Sequence, residues 1–144
     1  MAMTRHTASA AETESLGAEL AATLEAGDVV LLVGDLGAGK TTFVRGAARA
    51  LGVDAPVTSP TFTIGQRYRA NGGPVAVVSH LDLYRLTSLR DEDPDLLADY
   101  VGDDTIAFVE WPDVGTGELV TLASRVLTVK LAHAGGDLRE VELP

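Results

Sequence analysis

The chain has 144 residues, room for one compact core and too little for two of ordinary size. With a formal net charge of −10 and only two lysines, Lys40 and Lys130, it is not built to grip a nucleic-acid backbone across a broad surface, and any anion must be held by a few focused groups. The absence of cysteine excludes disulfides, thiolate nucleophiles and Cys-ligated zinc.

The N-terminus, "MAMTRHTASAAETES", has no apolar core of the signal-peptide kind, and residues 1–10 read as a flexible lead-in. Leu16, Leu20 and Leu24 then recur on one helical face, so a helix is expected over residues 13–25, with Thr13 as its N-cap and Gly27 as its stop. The longest apolar run in the chain, Val29 to Val33, is five residues: far too short for a membrane span, and right for a fully buried parallel strand. The chain is therefore expected to be a single cytoplasmic domain with no membrane association.

A second helix is expected from Lys40 to Leu51, ending at Gly52, followed by two strands joined at Asn71-Gly72-Gly73. The acidic stretch from Asp91 to Asp104 leaves room for a short helix around Asp95 to Tyr100. The strand "TIAFVE", the turn-rich "WPDVGTGE" and a closing hairpin around Gly135-Gly136 complete the order. Strands and helices in this succession imply an α/β domain with a mixed sheet and helices packed on it.

"GDLGAGKT", Gly34 to Thr41, matches G-x-x-x-x-G-K-[ST] between a buried strand and a helix, the setting in which that pattern cradles phosphate. The glycines let backbone N–H groups point inward, the helix N-terminus adds its positive dipole end, Lys40 reaches the β- and γ-phosphates, and the Thr41 hydroxyl ligates Mg²⁺. From this composition a chance match is on the order of one in a few hundred. The only asparagine, Asn71, lies in a hairpin turn, so the Asn-Lys-x-Asp guanine-reading motif is absent. No transporter signature, Arg-rich lid or acceptor domain is visible either, which favours a bare ATP-binding core.

Three further stretches bear on the site. "VTSPTFTIGQRY" groups hydroxyls at Thr58, Ser59, Thr61 and Thr63 about Pro60: either a sheet-edge strand start or a switch loop that senses the γ-phosphate. In "VVSHLDLYRL", Asp82 near a strand end is either a solvated acid or the group that positions water or the Mg²⁺ shell, while His80 reads as structural and Arg85 as an ion-pair partner rather than a catalytic arginine. In "IAFVEWP", Glu110 ends a buried strand on the side where α/β sheets bind ligands, and fits as the second holder of a Mg²⁺ shared with Thr41. A boundary glutamate bonded to nearby backbone is the plain alternative. Trp111 either packs over the site or faces a partner.

In that order and spacing, "GDLGAGKTTF", "SPTFTI", "HLDLYRL" and "VEWP" resemble the TsaE (YjeE) family of small bacterial ATPases, from about residue 13 to residue 131. The resemblance implies a P-loop NTPase fold and weak, Mg²⁺-dependent ATPase activity that depends on partners. It also implies a role in making N6-threonylcarbamoyladenosine at position 37 of tRNA, in company with TsaD and TsaB, with tRNA met only indirectly through that complex. Carried over by motif, Gly37, Ala38, Gly39, Lys40, Thr41 and Thr42 would bind ATP phosphates, Thr41 and Glu110 would hold Mg²⁺, and Asp82 would assist hydrolysis. Ser59, Pro60 and Thr61 look like the family's switch, and Thr13 and the loop near Gly135 like its adenine side. The family's usual "EEL…LG" pattern is replaced here by "TSLRDEDPDLLADYVGDD". Partner contacts do not transfer there. Two rivals remain: a nucleotide-gated binding module in which ATP occupancy sets partner affinity, and a small-molecule kinase, for which no acceptor site is visible.

Overall fold

The computed structural model describes residues 3–60, 64–84, 95–114 and 116–144; Thr61, Arg85 and the acidic residues 91–93 lie outside these. The strands are β1 (Met3–Thr7), β2 (Asp28–Val33), β3 (Gly65–Arg69), β4 (Val77–Asp82), β5 (Thr105–Glu110), β6 (Arg125–His133) and β7 (Arg139–Leu143). The helices are α1 (Ala10–Ala21), α2 (Lys40–Ala50) and α3 (Thr116–Leu122), with a 3₁₀ turn at Pro112–Val114.

Unbroken apolar strands need cover on both faces, and β2 and β5 receive it at the middle of a seven-stranded sheet ordered β1-β7-β6-β2-β5-β4-β3. β2 runs parallel to both β5 and β6, and β4 runs parallel to β5, whereas β1, β3 and β7 pair antiparallel. The carboxyl ends of β2, β4 and β5 therefore open on the same edge. Register puts Glu110 beside both Leu32 and Asp82 there.

One face of the sheet packs Val30, Leu32 and Phe108 against Leu16 and Leu20 of α1 and Phe43 and Val44 of α2. The other packs Val29, Leu31 and Val109 against Leu97, Val101 and Leu119 of α3. α1 and α2 meet through glycine: a Cβ on Gly46 would lie 2.0 Å from Glu14 O, and one on Gly17 would lie 2.2 Å from Phe43 O. This backbone-to-backbone approach carries the first turns of both helices to the site edge.

Several expectations are revised. The first helix begins at Ala10, not Thr13, because Ser9 and Glu12 form a capping pair: Glu12 N–H donates to Ser9 Oγ at 3.2 Å and Ala8 N–H to the Glu12 carboxylate at 2.7 Å. Thr13 is instead buried inside the helix, its hydroxyl 2.8 Å from that of Thr7. Met3–Thr7 form an edge strand on β7 rather than a flexible lead-in, drawn in by pairing, with Thr7 its one buried side chain. Asp95 to Tyr100 make turns rather than a helix, and "TGELVTL" is helical, anchored by the fully buried Leu119. Among the described residues no helix is long and apolar enough to cross a membrane.

Gly46→Ala forces α1 and α2 apart and should lower stability by about 1–3 kcal/mol. Urea denaturation against the wild type checks this, with an unchanged midpoint as the contrary result.

Candidate functional site

The loop between β2 and α2 has the geometry its glycines permit. Gly37 and Gly39 sit at φ 79° and 101°, and Gly39 is the N-cap of α2 with no side chain bonded to the helix end. The first N–H groups of α2 thus have neither a helical carbonyl nor a capping side chain, unlike those of α1, and they face a cleft of about 290 Å³. The outer limb of the loop is held from the β6–β7 hairpin, by His133 Nε2 near Leu36 O at 3.3 Å and by Arg139 Nη2 donating to Gly37 O at 3.2 Å.

Lys40 is buried, and its ammonium donates to Gly34 O at 2.5 Å and Asp35 O at 3.2 Å. Burial lowers its pKa, while Glu110, Asp82 and Asp35 pull it back up. Over it lies Trp111, with the ammonium 3.8 Å from the ring centroid, a cation–π contact of about 0.5–2 kcal/mol. Trp111 is the one described non-glycine residue at positive φ (54°), and its ring packs at 4.8 Å on that of Tyr84. The backbone turn straight after Glu110 is what folds this ring back over the loop lysine.

Glu110 is 3% exposed, and its two donors among the described residues land on one oxygen. Thr41 Oγ1 donates to Oε2 at 2.9 Å, and His80 Nε2 lies 2.6 Å from the same atom. Ser59 Oγ in turn lies 2.8 Å from Thr41 Oγ1. Four segments distant in sequence thus join in one polar chain. A hydroxyl and a carboxylate side by side are the oxygen donors a hard cation takes, and among the described residues no three acidic or histidine side chains converge into a complete cage. A cation held here would need phosphate and water oxygens to fill its shell.

Of the residues expected from sequence, Thr13, Gly37, Gly39, Lys40, Thr41, Thr42, Asp82 and Glu110 all line the cleft. Ala38 has its methyl packed into the core, leaving its backbone to the loop, and Thr61 lies outside the described residues. Sequence reasoning did not place Ser9, Asp137 or Arg139 in the cleft, and it treated His80 as structural. Ser9 carried a readable signal in Ser-x-x-Glu. Arg139 carried none, since its link to the loop spans 102 residues.

A family model described as threonylcarbamoyl adenosine biosynthesis protein TsaE matches residues 7–141. A protein of Streptomyces coelicolor named tRNA threonylcarbamoyladenosine biosynthesis protein TsaE is 45% identical over 123 residues, covering 85% of this chain and 80% of its own. A Bacillus subtilis protein of the same name is 40% identical over 131 residues, 90% of this chain and 77% of its own. The fold is similar to the crystal structure of YdiB from Bacillus subtilis, with a TM-score of 0.72, 33% identity, and coverage of 99% of this chain and 84% of that one.

The surroundings of Asp82 favour its protonated form. Burial raises its pKa and the neighbouring Glu110 charge adds to this, against the Tyr84 N–H bond at 3.0 Å and the pull of Lys40. A carboxyl raised in the folded state costs stability when ionised, and that cost vanishes below the unfolded value of about 3.9. Asp82→Asn should therefore be more stable than the wild type at pH 7, with the difference closing as pH falls toward about 4. Urea denaturation at the two pH values checks it, and a difference that does not change with pH contradicts it.

Proposed function

This chain belongs to the TsaE family of tRNA threonylcarbamoyladenosine biosynthesis proteins, and from that footing we propose that it is the ATPase of the system, binding ATP with Mg²⁺ and driving the cycle of a TsaD–TsaB pair. On this reading tRNA is met only through the complex. The observation that carries it is the meeting of Lys40, Thr41 and Glu110 at the uncapped end of α2.

The N–H groups from Gly37 to Thr42 take the phosphates, which explains how so acidic a chain holds a polyanion: the attraction is local and comes largely from backbone. Lys40 exchanges its loop carbonyls for phosphate oxygens, and Thr41 and Glu110 hold the cation. The cation, when bound, neutralises charge developing on the phosphates. Asp82, with its raised affinity for a proton and its place in the cleft, orients the attacking water and accepts from it. Thr13, Asp137 and Arg139 also line the cleft, and on this reading the base lies on their side of the loop.

The described arginines support partner stimulation. Among the described residues Arg139 is the arginine lining the cleft, and its guanidinium is tied to the carbonyls of Gly37, Gly136 and Leu138. So held, it is not free to swing onto a transferring phosphoryl group, and on this reading a partner supplies that positive charge.

The bond between Ser59 and Thr41 also favours a second reading, in which nucleotide occupancy alone orders the 59–60 segment and sets partner affinity. Glu110→Gln that binds ATP yet fully supports tRNA modification would favour that reading over hydrolysis.

ATP hydrolysis measured with and without TsaD and TsaB tests the primary reading. Turnover should rise with the pair and fall about 100-fold or more in Lys40→Ala. Equal rates for the isolated protein and the mixture would refute partner stimulation.

A further inference from the structure

His80 is wholly buried on β4, yet it is a polar ring where an apolar side chain would fill the same space. Its strand neighbours in register are Phe108 and Gln66, so nothing in its pairing demands an imidazole. One ring nitrogen is used: Nε2 lies 2.6 Å from Glu110 Oε2. The other, Nδ1, is buried with no hydrogen-bond partner among the described residues. An unpartnered buried N–H is costlier than a bare lone pair, so the proton belongs on Nε2 and the ring donates to the carboxylate.

The two donors to Glu110 differ in what else they must do. The Thr41 hydroxyl is shared with Ser59 and sits where the cation would be held. His80 has no other partner among the described residues and lies on a strand, locked on both sides by β3 and β5. It is the partner that can stay constant whether or not a ligand draws Thr41 away.

We propose that His80 is a positioning residue of the cation site, holding the Glu110 carboxylate through an Nε2–H···Oε2 hydrogen bond in the orientation that lets it share a divalent cation with Thr41. This rests on the reading of Thr41 and Glu110 as cation holders given above. It is the arrangement in which a group outside the coordination shell orients a ligand inside it.

The test is the affinity of the full chain for a non-hydrolysable ATP analogue, measured calorimetrically with Mg²⁺ and with EDTA. The readout is the ratio between the two, which a general loss of packing does not move. In His80→Met the gain from Mg²⁺ should shrink about tenfold while the affinity in EDTA stays at the wild-type value. In His80→Gln, whose amide N–H reaches nearly as far as Nε2, most of the gain should return. A folded His80→Met with the wild-type gain, or a folded His80→Gln as poor as His80→Met, overturns the proposal. A wild type with no gain from Mg²⁺ overturns the cation reading beneath it as well, which separates the two failures. Should His80→Met not fold, nitrogen NMR of the wild-type ring decides: a proton on Nε2 supports the proposal, and an unprotonated Nε2 overturns it.

Discussion

The structure turns on one buried carboxylate. Glu110 ends the most enclosed strand of the sheet, and an ionised group there is costly unless donors replace the lost water. Thr41 and His80 supply them, from the loop after β2 and from β4, and Ser59 extends the chain to the segment after α2. The same contacts that offset the desolvation of Glu110 bring the loop and the neighbouring strand ends together. Removing the charge would relax a constraint on all of them.

The helices serve that junction. α1 and α2 touch at Gly17 and Gly46, so closely that no side chain fits between them, and this delivers two helix starts to one cleft. The two ends are treated differently. Ser9 and Glu12 close the end of α1, whereas Gly39 leaves that of α2 open. An open helix end beside a lysine is the geometry that suits an anion locally, even inside a chain of net charge −10 with no basic surface. Trp111 completes the arrangement by folding back over Lys40.

Much of this was legible because it is local. The five apolar residues of β2, the glycines of "GDLGAGKT" and the two glycine-marked hairpins each declare their structure within a dozen residues. Membership of the TsaE family was visible in four such stretches, and residues 7–141 match the family model. Glu110 was legible as an acid misplaced at the end of an apolar strand. β1 was not, since Met3–Thr7 buries only the polar Thr7 and has no apolar alternation, and it exists by pairing with the far end of the chain. α3 was hidden by glycines at 115 and 117, with Leu119 its one fully buried residue. His80 and Arg139 were missed as site residues for one reason: their partners, Glu110 and Gly37, are 30 and 102 positions away. No spacing rule links them.

The central claim is that Glu110 is held where it is in order to share a divalent cation with a nucleotide. Manganese in place of magnesium makes that directly visible by electron paramagnetic resonance, with the non-hydrolysable ATP analogue present. The account predicts that the wild type binds Mn²⁺ only together with the analogue, and that Glu110→Gln weakens this binding at least about tenfold with a much smaller change in the analogue's affinity in EDTA. A Glu110→Gln protein that binds Mn²⁺ as tightly as the wild type would contradict it.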